Sequence, residues 1–282
     1  MMATFRLVAA DTLPEADLHA ATVAAFADYL AGPFRMTLEQ FPSFIARQGV
    51  DLARSRVAMH DGAIAAFAFV CPRPEVGRWR LGAMGALPAA RGTGAVPALL
   101  DDFIARAKSE GLPWAELECF AANERALRLY RGRGFEAMAA LDGWKLPDDA
   151  SVLAPAPAGD VRAVDLGSAL AWLADADQRI EWLPFPNSAR CMAAQSRPLS
   201  FWQHGGAQLV FSVVDGTPTQ IHSLVDLDPA LDDAEVLARA LAAAHPGVFA
   251  PPILRDDLGG SALRRAGFMA NDLSQVLMKR QL

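Results

Sequence analysis

Cysteine is scarce in this chain of 282 residues: Cys71, Cys119 and Cys191 stand far apart, with no CxxC pair and no neighbouring histidine. Such spacing argues against a disulfide framework or a zinc site and leaves three thiols expected to be free in a reducing compartment. Basic charge is in deficit, 26 Lys+Arg against 32 Asp+Glu for a net charge of −6. That balance disfavours non-specific nucleic-acid binding, which needs a basic face, and is compatible with a cationic amine substrate. Although 52% of the residues are apolar, no run approaches the roughly 20 consecutive apolar residues of a membrane span. The opening "MMATFRLVAADTLPEADLH" lacks the basic start, apolar middle and small-residue cleavage site of a secretory signal. The expectation is a soluble, cytoplasmic protein with no membrane partner.

Punctuation divides what is there. "KLPDDASVLAPAPAGD" (145–160) is rich in proline and small residues and marks a linker. The expected division is a first domain over 1–146, a linker over 147–159 and a second domain over 160–282, each domain of ordinary size. In the first, "TLPEADLHAATVAAFADYL" spaces Leu18, Ala21, Thr22, Ala25, Phe26 and Tyr29 as a helix does, with Asp11 or Thr12 as its cap. Thr37 and Gln40 form a capping box for a second helix. "SRVAMHDGAIAAFAFVC" predicts two strands joined at Asp61-Gly62, with His60 at the hairpin tip. Then come the strand "RWRLGAMGALP", the helix "PALLDDFIARAKSEG", the strand "WAELECF", the helix "NERALRLYRGRG" and a closing strand pair in "FEAMAALDGWKL". The fold class expected is α/β, a mixed sheet flanked by helices.

Between the strand and the helix lies "RGTGAV" (91–96). A strand, a glycine-containing loop and a helix N-terminus make an anion site, because the first helical amides lack intrahelical partners and the helix dipole favours negative charge. The loop has neither the GK[ST] of a Walker loop nor a GxGxxG. A plain turn needing glycine for its geometry explains it equally well.

The loop is followed by "NERALRLYRGRGF", spaced N-x-x-A-x-x-x-Y-x-x-x-G-F, and preceded by Pro88. With these signatures in this order, residues 3–146 resemble the GNAT superfamily of acetyl-CoA-dependent N-acetyltransferases. The resemblance implies an acyl-CoA N-acyltransferase fold with acetyl-CoA as cosubstrate and no metal. It implies that the backbone of Ala86 and Leu87 pairs with the pantetheine arm. The amides of Arg91, Gly92, Thr93, Gly94, Ala95 and Val96 would take the pyrophosphate. Asn123 would bind the pantetheine or acetyl end, or serve only as a helix cap. Tyr130 would protonate the departing thiolate, or be a core aromatic. Glu118, twelve residues before Tyr130, stands where relatives resembling ribosomal-protein acetyltransferases carry a general base; the alternative is a solvated or ion-paired strand glutamate. Asp28 and Tyr29 would border an acceptor pocket or be surface residues. Val96 departs from the family's Gly or Ala, and Pro97 removes one amide in a turn where helices tolerate proline.

Residues 160–282 repeat the plan in degraded form. Helices are expected in "GSALAWLADADQ", "NSARCMAAQ" and "DDAEVLARALAAAHPG", paired strands around Asp215-Gly216, and strands in "VFAPPIL" and "SQVLMKR". "SALRRAGF" echoes the first half's helix, but Leu263 stands at the place of Tyr130, Asp256 at that of Asn123 and Pro251 at that of Glu118. A tandem arrangement with an inactive second copy is therefore expected, with Trp182, Phe185, Phe201 and Trp202 packing as core or, alternatively, lining an acceptor pocket. The reading is an N-acetyltransferase passing acetyl directly to a primary amine of a small molecule or peptide, with a homodimer compatible; the alternative is a non-catalytic acyl-CoA-binding or sensing protein.

Overall fold

A computed structural model describes residues 4–147, 160–215, 219–245 and 247–282. The stretch 148–159, most of the expected linker, and Gly216 of the second expected turn lie outside the described residues. The chain forms two compact units, Met1–Ala137 with Met278–Leu282, and Met138–Leu277. These bounds differ from the sequence-based division at 146 and 160. The strand that was to close the first domain lies mostly in the second unit, and the last five residues return to the first. Local sequence cannot reveal this, because strand partners are chosen by non-local pairing.

The first unit opens with a short strand, β1 (Arg6–Ala9), which the sequence reading missed. Asp11 and Thr12 form a tight turn and do not cap the first helix; Pro14 precedes α1 (Glu15–Ala25) instead. Leu18, Ala21, Thr22 and Ala25 are its buried stripe, the i, i+3, i+4, i+7 spacing of one helix face. The helix stops before Asp28 and Tyr29, which fall in the following turn. The capping box holds, with the Thr37 amide donating to Gln40 Oε1 at 3.0 Å ahead of α2 (Phe41–Arg47).

β2 (Asp51–His60) and β3 (Ala63–Arg73) form the expected hairpin. Asp61 and Gly62 have φ of 48° and 80°, the double left-handed turn that matches strand twist. β4 (Arg78–Ala86) pairs with β3 antiparallel from Arg73↔Arg78 to Ala66↔Ala86. Next come α3 (Ala95–Ser109), β5 (Trp114–Phe120) and α4 (Glu124–Arg131). The strand order is β1-β2-β3-β4-β5, with the chain's C-terminal residues beyond β5, where the Leu282 amide donates to Pro113 O at 3.0 Å. β4 and β5 run parallel, but their register covers only Arg78–Leu81 against Trp114–Leu117.

The second unit contains most of β6 (Glu136–Lys145), a single strand where two had been expected, followed by β7 (Arg162–Ala163), α5 (Leu166–Arg179), α6 (Ala189–Ala193) and β8 (Ser200–His204). After these come β9 (Ala207–Ser212), β10 (Gln220–Asp226), α7 (Asp232–Ala244), β11 (Phe249–Arg255), α8 (Ser261–Arg265) and β12 (Met269–Gln281). Trp182, Phe185 and Phe201 are buried and Trp202 packs against the core, as expected.

β10, α7 and β11 make a parallel crossover like β4, α3 and β5, but the space beside β10 is filled. The turn Asp256–Gly260 packs there with Leu258, Gly259 and Gly260 buried. A Cβ on Gly259 would stand 2.4 Å from the Leu224 carbonyl oxygen. Replacing Gly259 by Ala is therefore expected to destabilise the protein by about 1–3 kcal/mol through overpacking against backbone. Denaturant unfolding beside wild type checks this, and an unchanged midpoint would contradict the close packing.

Candidate active site

Where β4 and β5 part, the first unit opens a cavity of about 730 Å³. Its walls come from the end of α1 with the turn after it, from β4, from the 90–97 loop and from the start of α4. Gly85 lets α1 lie directly on β4, since a Cβ there would stand 3.0 Å from the Ala25 Cβ. Thus Phe26, Asp28 and Tyr29 line one wall, and Met84, Gly85 and Ala86 another.

Beyond Leu81 the side of β4 facing β5 carries no ladder partner. The Leu87 amide donates to Ala65 O at 2.9 Å on the β3 side, so by strand alternation Ala86 and Met84 turn their backbone groups to the open side. Ala86 thus presents its backbone to the gap, whereas the Leu87 amide is already committed.

In the loop, Gly92 and Gly94 adopt φ of 82° and 98°, conformations that only glycine takes without strain. Thr93 does not line the cavity; its hydroxyl donates to Ala90 O at 2.6 Å and tightens the turn. The Arg91 amide is likewise engaged, donating to Pro88 O at 3.3 Å. Among the described residues nothing accepts from the amides of Gly92, Gly94, Ala95 or Val96. Pro97 is the third residue of α3, a position with no intrahelical bond to lose, so it leaves the amides of Ala95 and Val96 available. The half-buried Val96 lines the cavity and narrows it without closing it.

Asn123 Oδ1 accepts from the Ala126 amide at 3.2 Å, capping α4, and the residue lines the cavity as well. Tyr29 hydrogen-bonds to the Asn123 side chain and its ring lies 5.4 Å from that of Phe120. Burial pushes the Tyr29 hydroxyl up to about 12, with Cys119 adding to the rise and the Asn123 hydrogen bond opposing it. Tyr130 is buried at the cavity wall, and burial holds its hydroxyl still further above the usual phenol range. Both are therefore neutral hydroxyl groups at physiological pH.

Glu118 corrects the expectation of a base. It is not in the cavity wall. Arg80 grips it with Nε at 3.1 and 2.9 Å from the two carboxylate oxygens and Nη2 at 2.7 Å from Oε2. Next to it the buried Glu116 takes Arg73 at 2.7 Å and Arg78 at 3.4 Å. These carboxylates hold buried guanidinium groups in place, the ion-paired alternative that the sequence left open for Glu118. A signal for this existed in the sequence: "RWR" and "ELE" alternate opposite charges on neighbouring strands, which the parallel register sets side by side.

The contact that sequence reading missed is Arg91 with Asp28, bidentate at 2.6 Å for both bonds. It joins the glycine loop to the end of α1, and the guanidinium holds the Asp28 carboxyl below its usual range.

With this geometry in view, residues 22–135 match the Acetyltransferase (GNAT) family. That match covers less than half of the 282 residues and shows a likeness of this segment to the family. No curated protein matches the sequence. Among solved structures it is similar to a GCN5-related N-acetyltransferase from Sphaerobacter thermophilus, at 18% identity and TM-score 0.64 over 98% of this chain and 95% of that one. It is also similar to a putative acetyltransferase from Pyrococcus horikoshii, at 14% identity and TM-score 0.66 over 99% and 89%. A GCN5-related N-acetyltransferase from Anabaena variabilis gives 18% and 0.66 over 99% and 73%. At these identities the likeness is one of fold, and the fold is that of the GNAT acyl-CoA N-acyltransferases.

Two measurements follow from this geometry. The chain has two tyrosines, and both line the cavity. An absorbance titration of the folded protein should show no phenolate near pH 10, with Tyr29 ionising near 12. Because the unfolded phenols lose protons near the usual value of about 10, this contribution to stability is intact below pH 10 and is lost as pH rises toward the folded values. Replacing Glu118 by Ala should cost about 3–5 kcal/mol, since it strands the buried Arg80; an unchanged unfolding free energy would contradict the ion pair's structural role.

Proposed function

We propose that the protein is an acetyl-CoA-dependent N-acetyltransferase that passes acetyl directly to a primary amine. The observation that carries this is the coincidence, on one cavity, of an unpaired strand edge at Met84–Ala86 and four open amides in the 92–96 loop. An extended amide-containing arm can add to such an edge as a strand does, and unpartnered amides at a helix N-terminus suit a pyrophosphate. Acetyl-CoA carries both groups and supplies the activated acetyl thioester.

The chain's own part is positioning and proton management. In this reading Ala86 and the loop hold the arm in line with Asn123 and Tyr130 at the far end of the cavity. As the amine nitrogen bonds to the acetyl carbon and the carbon–sulfur bond breaks, Tyr130 gives its proton to the sulfur. Burial favours the neutral phenol, so Tyr130 takes a proton back from solvent. The proton lost by the amine leaves through the open mouth to water. Phe26, Tyr29 and Met84 form the acceptor side, which suits an amine on an apolar or aromatic body.

The second unit is, in this proposal, a degenerate copy that binds no acetyl-CoA. The N-terminus of α7 is already occupied, because Asp226 Oδ2 accepts from the Ala234 amide at 2.9 Å, and Asp232, Asp233 and Glu235 crowd its first turn. Those charges repel a pyrophosphate.

The test is calorimetric titration with acetyl-CoA, followed by thiol-release assays over a panel of primary amines. Micromolar binding is expected, weakened about tenfold by Gly94→Ala, which forces a left-handed conformation on a residue with a Cβ. Tyr130→Phe should lower kcat roughly a hundredfold. Binding without thiol release for any amine would favour an acyl-CoA-binding protein, and absence of binding would overturn the reading.

A further inference from the structure

The glycine loop carries one cation, and the structure shows it spent elsewhere. Arg91 Nη1 and Nη2 each lie 2.6 Å from an Asp28 oxygen, and Nη2 also donates to Ala25 O at 3.2 Å. All three acceptors belong to the end of α1 and the turn after it. A guanidinium on a last-turn carbonyl completes a helix C-terminus and meets the negative end of its dipole. The pair is solvent-accessible, with side chains 33% and 64% exposed, so it is of the weak, exchangeable kind.

Asp28 is the stronger part of that hold, with two bonds of 2.6 Å against one of 3.2 Å to Ala25 O. Its effect is electrostatic: it cancels the positive charge beside the open amides of Gly92, Gly94, Ala95 and Val96. The remaining carboxylate in the cavity wall, Glu124, is engaged with Arg128 at 3.2 Å on α4.

We propose that Asp28 is a positioning residue that holds Arg91 on α1 and thereby sets the charge, and so the affinity, of the loop for a phosphate-bearing ligand. This rests on the reading of the loop as a pyrophosphate site. With Asp28 in place the loop itself offers the ligand neutral amides, Arg125 on α4 being the other cation in the cavity wall. Without it, the ligand meets those amides plus a free guanidinium. Asp28 thus weakens ground-state binding of the cosubstrate, which favours release after transfer. A merely structural Asp28 would have the opposite sign, because losing a structural contact loosens the loop.

The experiment is titration calorimetry with acetyl-CoA and, separately, inorganic pyrophosphate, on wild type, Asp28→Asn, Asp28→Glu, Arg91→Gln and the Asp28→Asn/Arg91→Gln double variant. Asp28→Asn should bind both probes about two- to tenfold more tightly, the scale of one exposed charge. That gain should vanish at about 1 M salt, where screening extends only about 3 Å. Arg91→Gln leaves the carboxylate uncancelled and should bind more weakly, while the double variant and Asp28→Glu should return to near wild type. Weaker binding by Asp28→Asn, or an unchanged affinity in both single variants, overturns the proposal. If Asp28→Asn fails to fold, the proposal stands or falls on Arg91→Gln and its recovery in the double variant. Wild type that binds pyrophosphate but not acetyl-CoA sinks the acetyl-CoA reading alone, and wild type that binds neither sinks both.

Discussion

The separation of β4 and β5 after four residues of shared register organises the first unit's chemistry. Parallel strands left together would satisfy one another's backbone groups and leave no edge for a ligand. Once they part, one edge of β4 must find another partner, and α3 starts with its amides facing the same gap. The arms of the gap are held by packing: β3 is buried along almost its whole length and fixes β4 from behind, while the buried pairs Arg78–Glu116 and Arg80–Glu118 tie β4 and β5 together. A buried ion pair adds little net stability but strongly penalises misregister, since any slip would strand a charge.

The second unit shows the opposite resolution of the same crossover. There a turn containing two successive buried glycines enters the space beside β10, and a carboxylate from the end of β10 takes the amide that a ligand would need. At that helix end the Ala234 amide is satisfied from within the unit. The difference lies in one inserted turn and one carboxylate at a strand end.

Much of this was legible in the sequence because it is local. The hairpin at Asp61-Gly62, the Thr37–Gln40 capping box, the glycine loop and the Asn123 cap each depend on residues a few positions apart, and each stands where the spacing put it. What was not legible depends on pairing at a distance. Arg91 and Asp28 are 63 positions apart, and nothing in either neighbourhood announces the other. Glu118 was misjudged because the motif spacing to Tyr130 says nothing of Arg80, which reaches it across the β4–β5 register. Leu87 was misjudged by one residue, which in a strand turns the amide to the opposite side. The short strands β1, β7 and β8 escaped because few residues leave little alternation to read.

The return of residues 278–282 to the first unit reaches beyond the folded state into how the chain is made. A ribosome delivers residues 1–137 long before residues 278–282, which lie beyond the outer edge of β5. Until then the nascent first unit carries an open sheet edge at β5, of the kind that invites pairing with other chains. Unit-by-unit maturation in chain order is denied to this protein: the first unit's sheet is completed only once residues 278–282 have been made.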